Sequence, residues 1–153
     1  MADLNFAGSY DGLHLPYSPE AEQAVLGAII LESNTFDKVV DTLKSPDYFY
    51  VSLHKLIFAQ MQEMVGLGLN IDFVTLLERL KQNKAFDEST GKSYLFDLVD
   101  NCPSISNAEE YAKIIAEKYN VRRLITASRE IIDDATAGNE DPSVLIDSAE
   151  QKI

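Results

Sequence analysis

The sequence predicts an all-α protein: a small multi-helix globular head followed by a long helical hairpin. Three observations carry that expectation. No stretch alternates apolar and polar residues over a strand's length, as half-buried strands do. Residues 107–137 run without proline or glycine and read as one helix. Capping residues, prolines and glycines fall where the other helices would begin and end.

Residues 1–14 carry Gly8 and Gly12 without a sustained period and are expected to form a flexible tail. Ser18-Pro19-Glu20 then reads as a helix start, with Ser18 as cap, Pro19 at the first helical position, and Glu20 and Glu22 favouring the positive end of the dipole. Ala21, Ala24, Val25, Ala28, Ile29 and Leu31 follow at helical spacing. Gly27 in mid-helix costs about 1 kcal/mol against alanine, so another helix is expected to approach closely there. Ser33 or Asn34 should cap a short second helix carrying Phe36, Val39, Val40 and Leu43, broken by Ser45-Pro46-Asp47. A third helix spans about 52–66, with Leu53, Leu56, Ile57, Met61 and Met64 on its buried side, and Gly66 and Gly68 end it. Asp72 caps a fourth, from Phe73 to about Asn83, using Val74, Leu76, Leu77 and Leu80. After a polar loop from Lys84 to Lys92, a fifth helix begins at Lys92 or Ser93 and carries Tyr94, Leu95, Leu98 and Val99. Asn101-Cys102-Pro103 closes it, and Ser106 is expected to cap the long helix.

Roughly 30 residues at 1.5 Å each make the long helix about 45 Å, more than a small head can cover. Its main apolar stripe is Tyr111, Ile114, Val121, Ile125, Ile132 and Ala135, interrupted by Lys118 and Ser128. A second stripe runs through Ala108, Ala112, Ile115 and Tyr119, and a third through Leu124, Ala127 and Ile131. A helix apolar on several sides buries several sides, which implies contact with another chain. Gly138 suits the stop after this helix. Asp141-Pro142 starts the last one, whose apolar face is Val144, Leu145, Ala149 and Ile153. The pattern breaks off there in mid-turn, so the expectation is a piece of a longer protein. The expected division is tail 1–14, head 15–104 and hairpin 105–153.

At 153 residues with 46% hydrophobic content, the chain can bury a real core. Its longest apolar run, Ala24 to Leu31, has eight residues, far short of the roughly 20 that span a bilayer. The N-terminus lacks a signal-peptide pattern, and the single cysteine, Cys102, suits a reducing cytoplasm. A net charge of −12 opposes direct binding of nucleic acid, whose affinity rests on Lys and Arg. A protein partner is the better expectation.

Gly91-Lys92-Ser93 resembles the end of a phosphate-binding loop, but Phe86 stands where that motif needs its first glycine, and no strand precedes it. His14 and His54 lie apart from cysteines and carboxylates at ligand spacing; His54 reads as a capping or packing residue. Glu109-Glu110 and Asp133-Asp134 are adjacent on a helix, so each pair diverges into solvent. Cys102, beside a proline, reads as a small buried residue. No nucleophile, base and orienting group come together in this pattern, and neither a catalytic site nor a bound cofactor or metal is expected in this segment.

The block from Pro16 to Gly27, Pro-Tyr-Ser-Pro-Glu-Ala-Glu-Gln-Ala-Val-Leu-Gly, resembles the opening of the N-terminal domain of DnaB-like bacterial replicative DNA helicases. Further matches keep the family's order: Asp47-Tyr48-Phe49 with His54, Ile57-Phe58 and Met61; Ile71-Asp72 with Val74-Thr75-Leu76; Tyr94-Leu95 with Leu98; Pro103-Ser104 with Asn107; then Tyr111 to Ile115 and Arg122 to Ile125. Gly91-Lys92 departs from the two glycines usual before Tyr-Leu. The resemblance implies a collar on a homohexameric ring, built as a trimer of dimers through paired hairpins, that docks the helicase-binding domain of primase. It places ATP and Mg²⁺ in a separate C-terminal motor domain, and makes a helicase loader a further partner and DNA a partner of the full ring. Under this reading Tyr111, Ile114, Ile115, Val121, Ile125 and Ile132 form the subunit interface. Glu20, Tyr94, Arg122 and Ile131 form the primase surface. The alternative is a free-standing phage or plasmid replication adaptor of the same fold, without a motor.

Overall fold

The structure, a computed structural model, describes residues 15–153. The expected tail, residues 1–14, lies outside the described residues. Among the described residues there are seven α-helices and no strand. They are α1 Pro19–Leu31, α2 Thr35–Val39, α3 Ser52–Gly66, α4 Phe73–Lys81, α5 Glu88–Asp100, α6 Ala108–Ala137 and α7 Pro142–Lys152, with 3₁₀ turns at Pro46–Tyr48 and Ile105–Asn107. The all-α expectation holds.

Several starts and stops follow the capping chemistry of the sequence. The Ser18 hydroxyl accepts from the Ala21 N–H at 3.2 Å, with Pro19 opening α1. Asp72 accepts from the Thr75 N–H at 2.8 Å and opens α4. Gly138, at φ +66°, ends α6 in the left-handed conformation that glycine adopts without strain.

Other boundaries differ, each for a local reason. α2 stops at Val39 and Asn34 makes no side-chain cap, yet Leu43 beyond it is fully buried. α5 begins at Glu88, not at Lys92 or Ser93, because Asp87 accepts from the Ser89 N–H at 3.0 Å. The Ser89 hydroxyl, donating to the same carboxylate at 2.8 Å, and this N–H bond hold the Asp87 carboxyl below its usual pKa. Gly91 therefore lies inside the helix, where a Cβ would run into the Phe86 ring, and the Gly-Lys-Ser run is helical rather than a phosphate loop. Ser106 does not cap α6; it sits in the 3₁₀ turn, its hydroxyl 3.0 Å from that of Ser104. Val74 leaves its expected place in the core and is 69% exposed.

The chain forms two compact units, Tyr17–Tyr119 and Asn120–Ile153, with Pro16 belonging to the second. The division thus falls within α6, not at the expected 104/105. The reason is that Ala108, Ala112 and Ile115, one apolar face of its first turns, are buried in the head core. That core centres on Leu26, Ile29, Phe49, Ile57, Phe58 and Met61, all fully buried, each contributing about 1.5–3 kcal/mol through area removed from water. Phe58 meets Phe49 and Phe36 at centroid distances of 4.9 and 5.6 Å. Gly27 does mark a close approach: a Cβ there would collide with the Leu98 carbonyl of α5 and reach 3.3 Å from the Cys102 Cβ.

Candidate protein-docking site

Within the head, α1, α3 and α5 are joined by a chain of polar side chains. Glu22 on α1 is buried, and its carboxylate accepts from the Tyr50 and Val51 N–H groups at 2.9 and 3.3 Å. It thereby satisfies backbone donors at the entry to α3 that the helix itself leaves open. Its Oε1 also meets the fully buried His54 Nδ1 at 2.7 Å. A carboxylate only accepts, so Nδ1 carries the proton here. The other ring nitrogen, Nε2, lies 2.6 Å from the Tyr94 hydroxyl on α5. That hydroxyl accepts in turn from the Gln23 amide at 3.1 Å. Burial raises the Tyr94 pKa, the charges of Glu22 and Asp97 adding to it against the lowering bond from Gln23. The hydroxyl keeps its proton, which leaves it able to share a hydrogen bond with the His54 ring. Every member is satisfied, and the network fixes three helices against one another. His54 is a packing residue, as expected, but one in contact with a carboxylate that sequence spacing kept distant.

Beside this network lies a pocket of about 520 Å³ lined by Glu20, Gln23, Tyr94, Asp97, Leu98 and Pro103, among others. Two of the four residues expected at the primase surface, Glu20 and Tyr94, meet here. Their arrangement offers carboxylates at the rim and an aromatic and aliphatic floor, the chemistry of a side-chain socket for a protein partner. Cys102 is half-buried, its Sγ 3.9 Å from the Ala24 carbonyl, and burial raises its pKa, away from thiolate reactivity. Among the described residues no cluster of three or more metal-binding side chains forms.

The second unit carries the other two. Arg122 is 7% exposed and donates to the Pro16 carbonyl at 2.9 Å. As a surface residue it is a correction: the guanidinium is engaged inside the chain and acts by positioning backbone. Ile131 is half-buried and lines a notch of about 140 Å³ with Ala135, Leu145, Ile146 and Ala149, where α6 meets α7. Lys152 closes that hairpin through Asp134 at 2.6 Å. Of the six expected interface residues, Ile115 is taken into the head core and Tyr111 packs against it. Ile115 is corrected from subunit contact to core, whereas Tyr111 is only half-buried. Ile114, Val121 and Ile132 are exposed, and Ile125 is half-buried.

A model of the DnaB-like helicase N-terminal domain matches residues 14–117. The chain belongs to that family. It is 38% identical over 138 residues to the replicative DNA helicase DnaB of Geobacillus stearothermophilus, which covers 90% of this chain and 30% of that protein. It is 35% identical over 144 residues to the DnaB of Pasteurella multocida, 93% of this chain and 30% of the relative. The chain thus spans about 30% of the length of the curated relatives it matches. Among solved structures, the N-terminal domain of the DnaB helicase from Mycobacterium tuberculosis superposes with a TM-score of 0.85 at 30% identity, over 92% of this chain and 98% of that one. A DnaB-like replicative helicase, described with its interactions with primase, shares the fold at a TM-score of 0.72 and 21% identity, over 89% of this chain and 32% of that one.

Sequence reasoning missed the Glu22–His54–Tyr94 network. Its members lie 32 and 40 positions apart, and no local period joins them. One signal was available: a glutamate at an otherwise apolar position of α1, between Ala21 and Ala24, is a buried charge in need of a partner.

Proposed function

We propose that this chain is the N-terminal collar of a hexameric replicative DNA helicase, joining subunits and docking primase while the rest of the protein drives unwinding. The observation that carries this reading is the family match, together with a fold shared over nearly all of a solved DnaB N-terminal domain. The curated relatives are replicative helicases, which favours this reading over a free-standing adaptor. ATP and Mg²⁺ belong to the motor, DNA is handled by the full ring, and a helicase loader is a further partner, all in the cytoplasm. No described helix is long and apolar enough to cross a membrane.

In this reading the exposed Ile114, Val121 and Ile132 and the half-buried Ile125 supply the hairpin contact between subunits. Glu20 and Tyr94, sharing one pocket, supply part of the primase surface, and Ile131 supplies another part on the arm. The test is calorimetric titration of the chain with the helicase-binding domain of its own organism's primase. Saturable binding is expected, weakened about tenfold by Glu20→Lys, the loss of one charge-assisted contact of about 1.4 kcal/mol. The unfolding midpoint should stay unchanged, since Glu20 is exposed. Absence of binding by a folded, associated sample overturns the docking role.

A further inference from the structure

The pocket of the head and the buried network behind it meet at two residues. Gln23 and Tyr94 line the pocket, and both belong to the outer end of the chain of bonds that runs back through His54 to Glu22. Glu22 and His54 are 1% and 0% exposed, and neither is among the residues that line the pocket. Stability alone does not account for a carboxylate and an imidazole at that depth. Well-packed apolar residues of the same volume often hold a fold as well as a buried polar pair does, and α1, α3 and α5 already share the apolar core of Leu26, Ile57 and Leu95. What apolar residues cannot supply is a directed bond to a hydroxyl at the pocket wall.

Tyr94 is held there in two ways by one residue. The His54 Nε2 lies 2.6 Å from its hydroxyl, and the imidazole stacks on the phenol ring at 5.7 Å between centroids, 27° from parallel. The Gln23 amide, donating to the same hydroxyl at 3.1 Å, ties it to α1 as well. His54 is fixed in turn by Glu22 at 2.7 Å, and Glu22 by the Tyr50 and Val51 N–H groups. Tyr94 is only half-buried, so without these bonds its side chain could leave the rotamer in which it faces the pocket. A ring free to move must be immobilised when a partner docks, which weakens binding about three- to tenfold; a ring already held avoids that loss.

We propose that Glu22 and His54 are positioning residues for partner docking: they fix the Tyr94 ring in the orientation the pocket presents, and so set affinity without touching the partner. The proposal rests on the docking reading above and adds to it two residues from outside the surface. Their action passes through a single group, the Tyr94 hydroxyl, and this makes it separable from their part in folding.

Calorimetric titration of the whole chain with the helicase-binding domain of its own organism's primase tests it as a double-mutant cycle. In His54→Asn the amide nitrogen stands near the place of Nδ1 and can still meet Glu22, but nothing reaches Tyr94; in His54→Gln the longer amide reaches the place of Nε2. Tyr94→Phe keeps the ring and removes the hydroxyl. His54→Asn and Tyr94→Phe should each weaken binding about three- to tenfold. The double variant should bind no worse than the weaker single one, and His54→Gln should regain most of the affinity. Losses that multiply in the double variant overturn the proposal, since His54 would then act on the fold and not through the hydroxyl. Glu22→Gln, which keeps the volume and one accepting oxygen, gives a second cycle with Tyr94→Phe if His54→Asn does not fold, and its loss of affinity should likewise vanish once the hydroxyl is gone. Unchanged affinity in the single variants overturns the positioning role and leaves the docking reading standing. No binding by the folded, unsubstituted chain overturns the docking reading and this proposal with it.

Discussion

In the unit Tyr17–Tyr119, the one buried glutamate, the one buried histidine and the tyrosine beside them each find partners inside the chain, and Leu26 and Ile29 of α1 with Ile57, Phe58, Met61 and Met64 of α3 reach full burial. In the unit Asn120–Ile153, Val121, Leu124, Ile132, Val144 and Ile146 stay 42–60% exposed. The contrast runs along a single helix. Ala108, Ala112 and Ile115 on α6 are buried at spacings of four and three, whereas Val121 and Ile132 further on are 46% and 42% exposed. Apolar periodicity is similar in both halves; the first half is covered by the head core, whereas the second meets α7 on one side and keeps Val121 and Ile132 exposed. A stripe at helical spacing therefore says that a surface is to be covered, not by what.

The comparison breaks most sharply at Glu22. Replacing it by alanine leaves the Tyr50 and Val51 N–H groups and the His54 Nδ1–H without their acceptor. At about 1–3 kcal/mol per unsatisfied buried donor, with the two backbone groups partly reached by water, the loss should be about 3–4 kcal/mol. Urea unfolding followed by circular dichroism measures it. A loss under 1 kcal/mol would mean that the network is ornamental and that packing alone holds α3 to α1.

The class, the seven helices and some of their caps were readable because they rest on local chemistry: Ser18, Asp72 and Gly138 act on neighbours within a few positions. The start of α5 was not, because Asp87 sits in a polar run whose composition reads as loop. The pocket proposed for docking was half readable. Family resemblance paired Glu20 with Tyr94, but their shared cavity and the His54 link behind it depend on how α1 and α5 cross. Arg122 and Ile115 misled for one reason: a helix face gives no indication in sequence of whether its own chain or another covers it.

That crossing is where the second prediction applies. Alanine at Gly27 gains about 1 kcal/mol in helix propensity, but its Cβ would collide with the Leu98 carbonyl, a backbone atom that moves only with α5. Overpacking of that kind costs about 1–3 kcal/mol, so a net loss of up to about 2 kcal/mol is expected. Because Leu98 also lines the pocket shared by Glu20 and Tyr94, which is proposed to dock a partner, the variant should weaken partner binding as well as stability. A gain in thermal midpoint would show that α5 yields at no cost, and that the close approach does not fix the pocket.

The smallest effect on folding should come from the arm, and it sharpens the contrast most. Ile132 is 42% exposed on α6, so Ile132→Ser removes only part of a side chain's buried area, and stability should fall by less than about 1 kcal/mol. The same substitution in a head position such as Ile29, fully buried, would cost several times that, since about 2–5 kcal/mol accompanies loss of a buried isoleucine. If the arm's apolar residues are covered by a second copy, Ile132→Ser should lower self-association in sedimentation equilibrium by about tenfold while the unfolding midpoint at low concentration holds. A variant that loses stability but keeps its association would reverse the assignment. The arm would then be covered from within, and the interface would lie elsewhere on the chain.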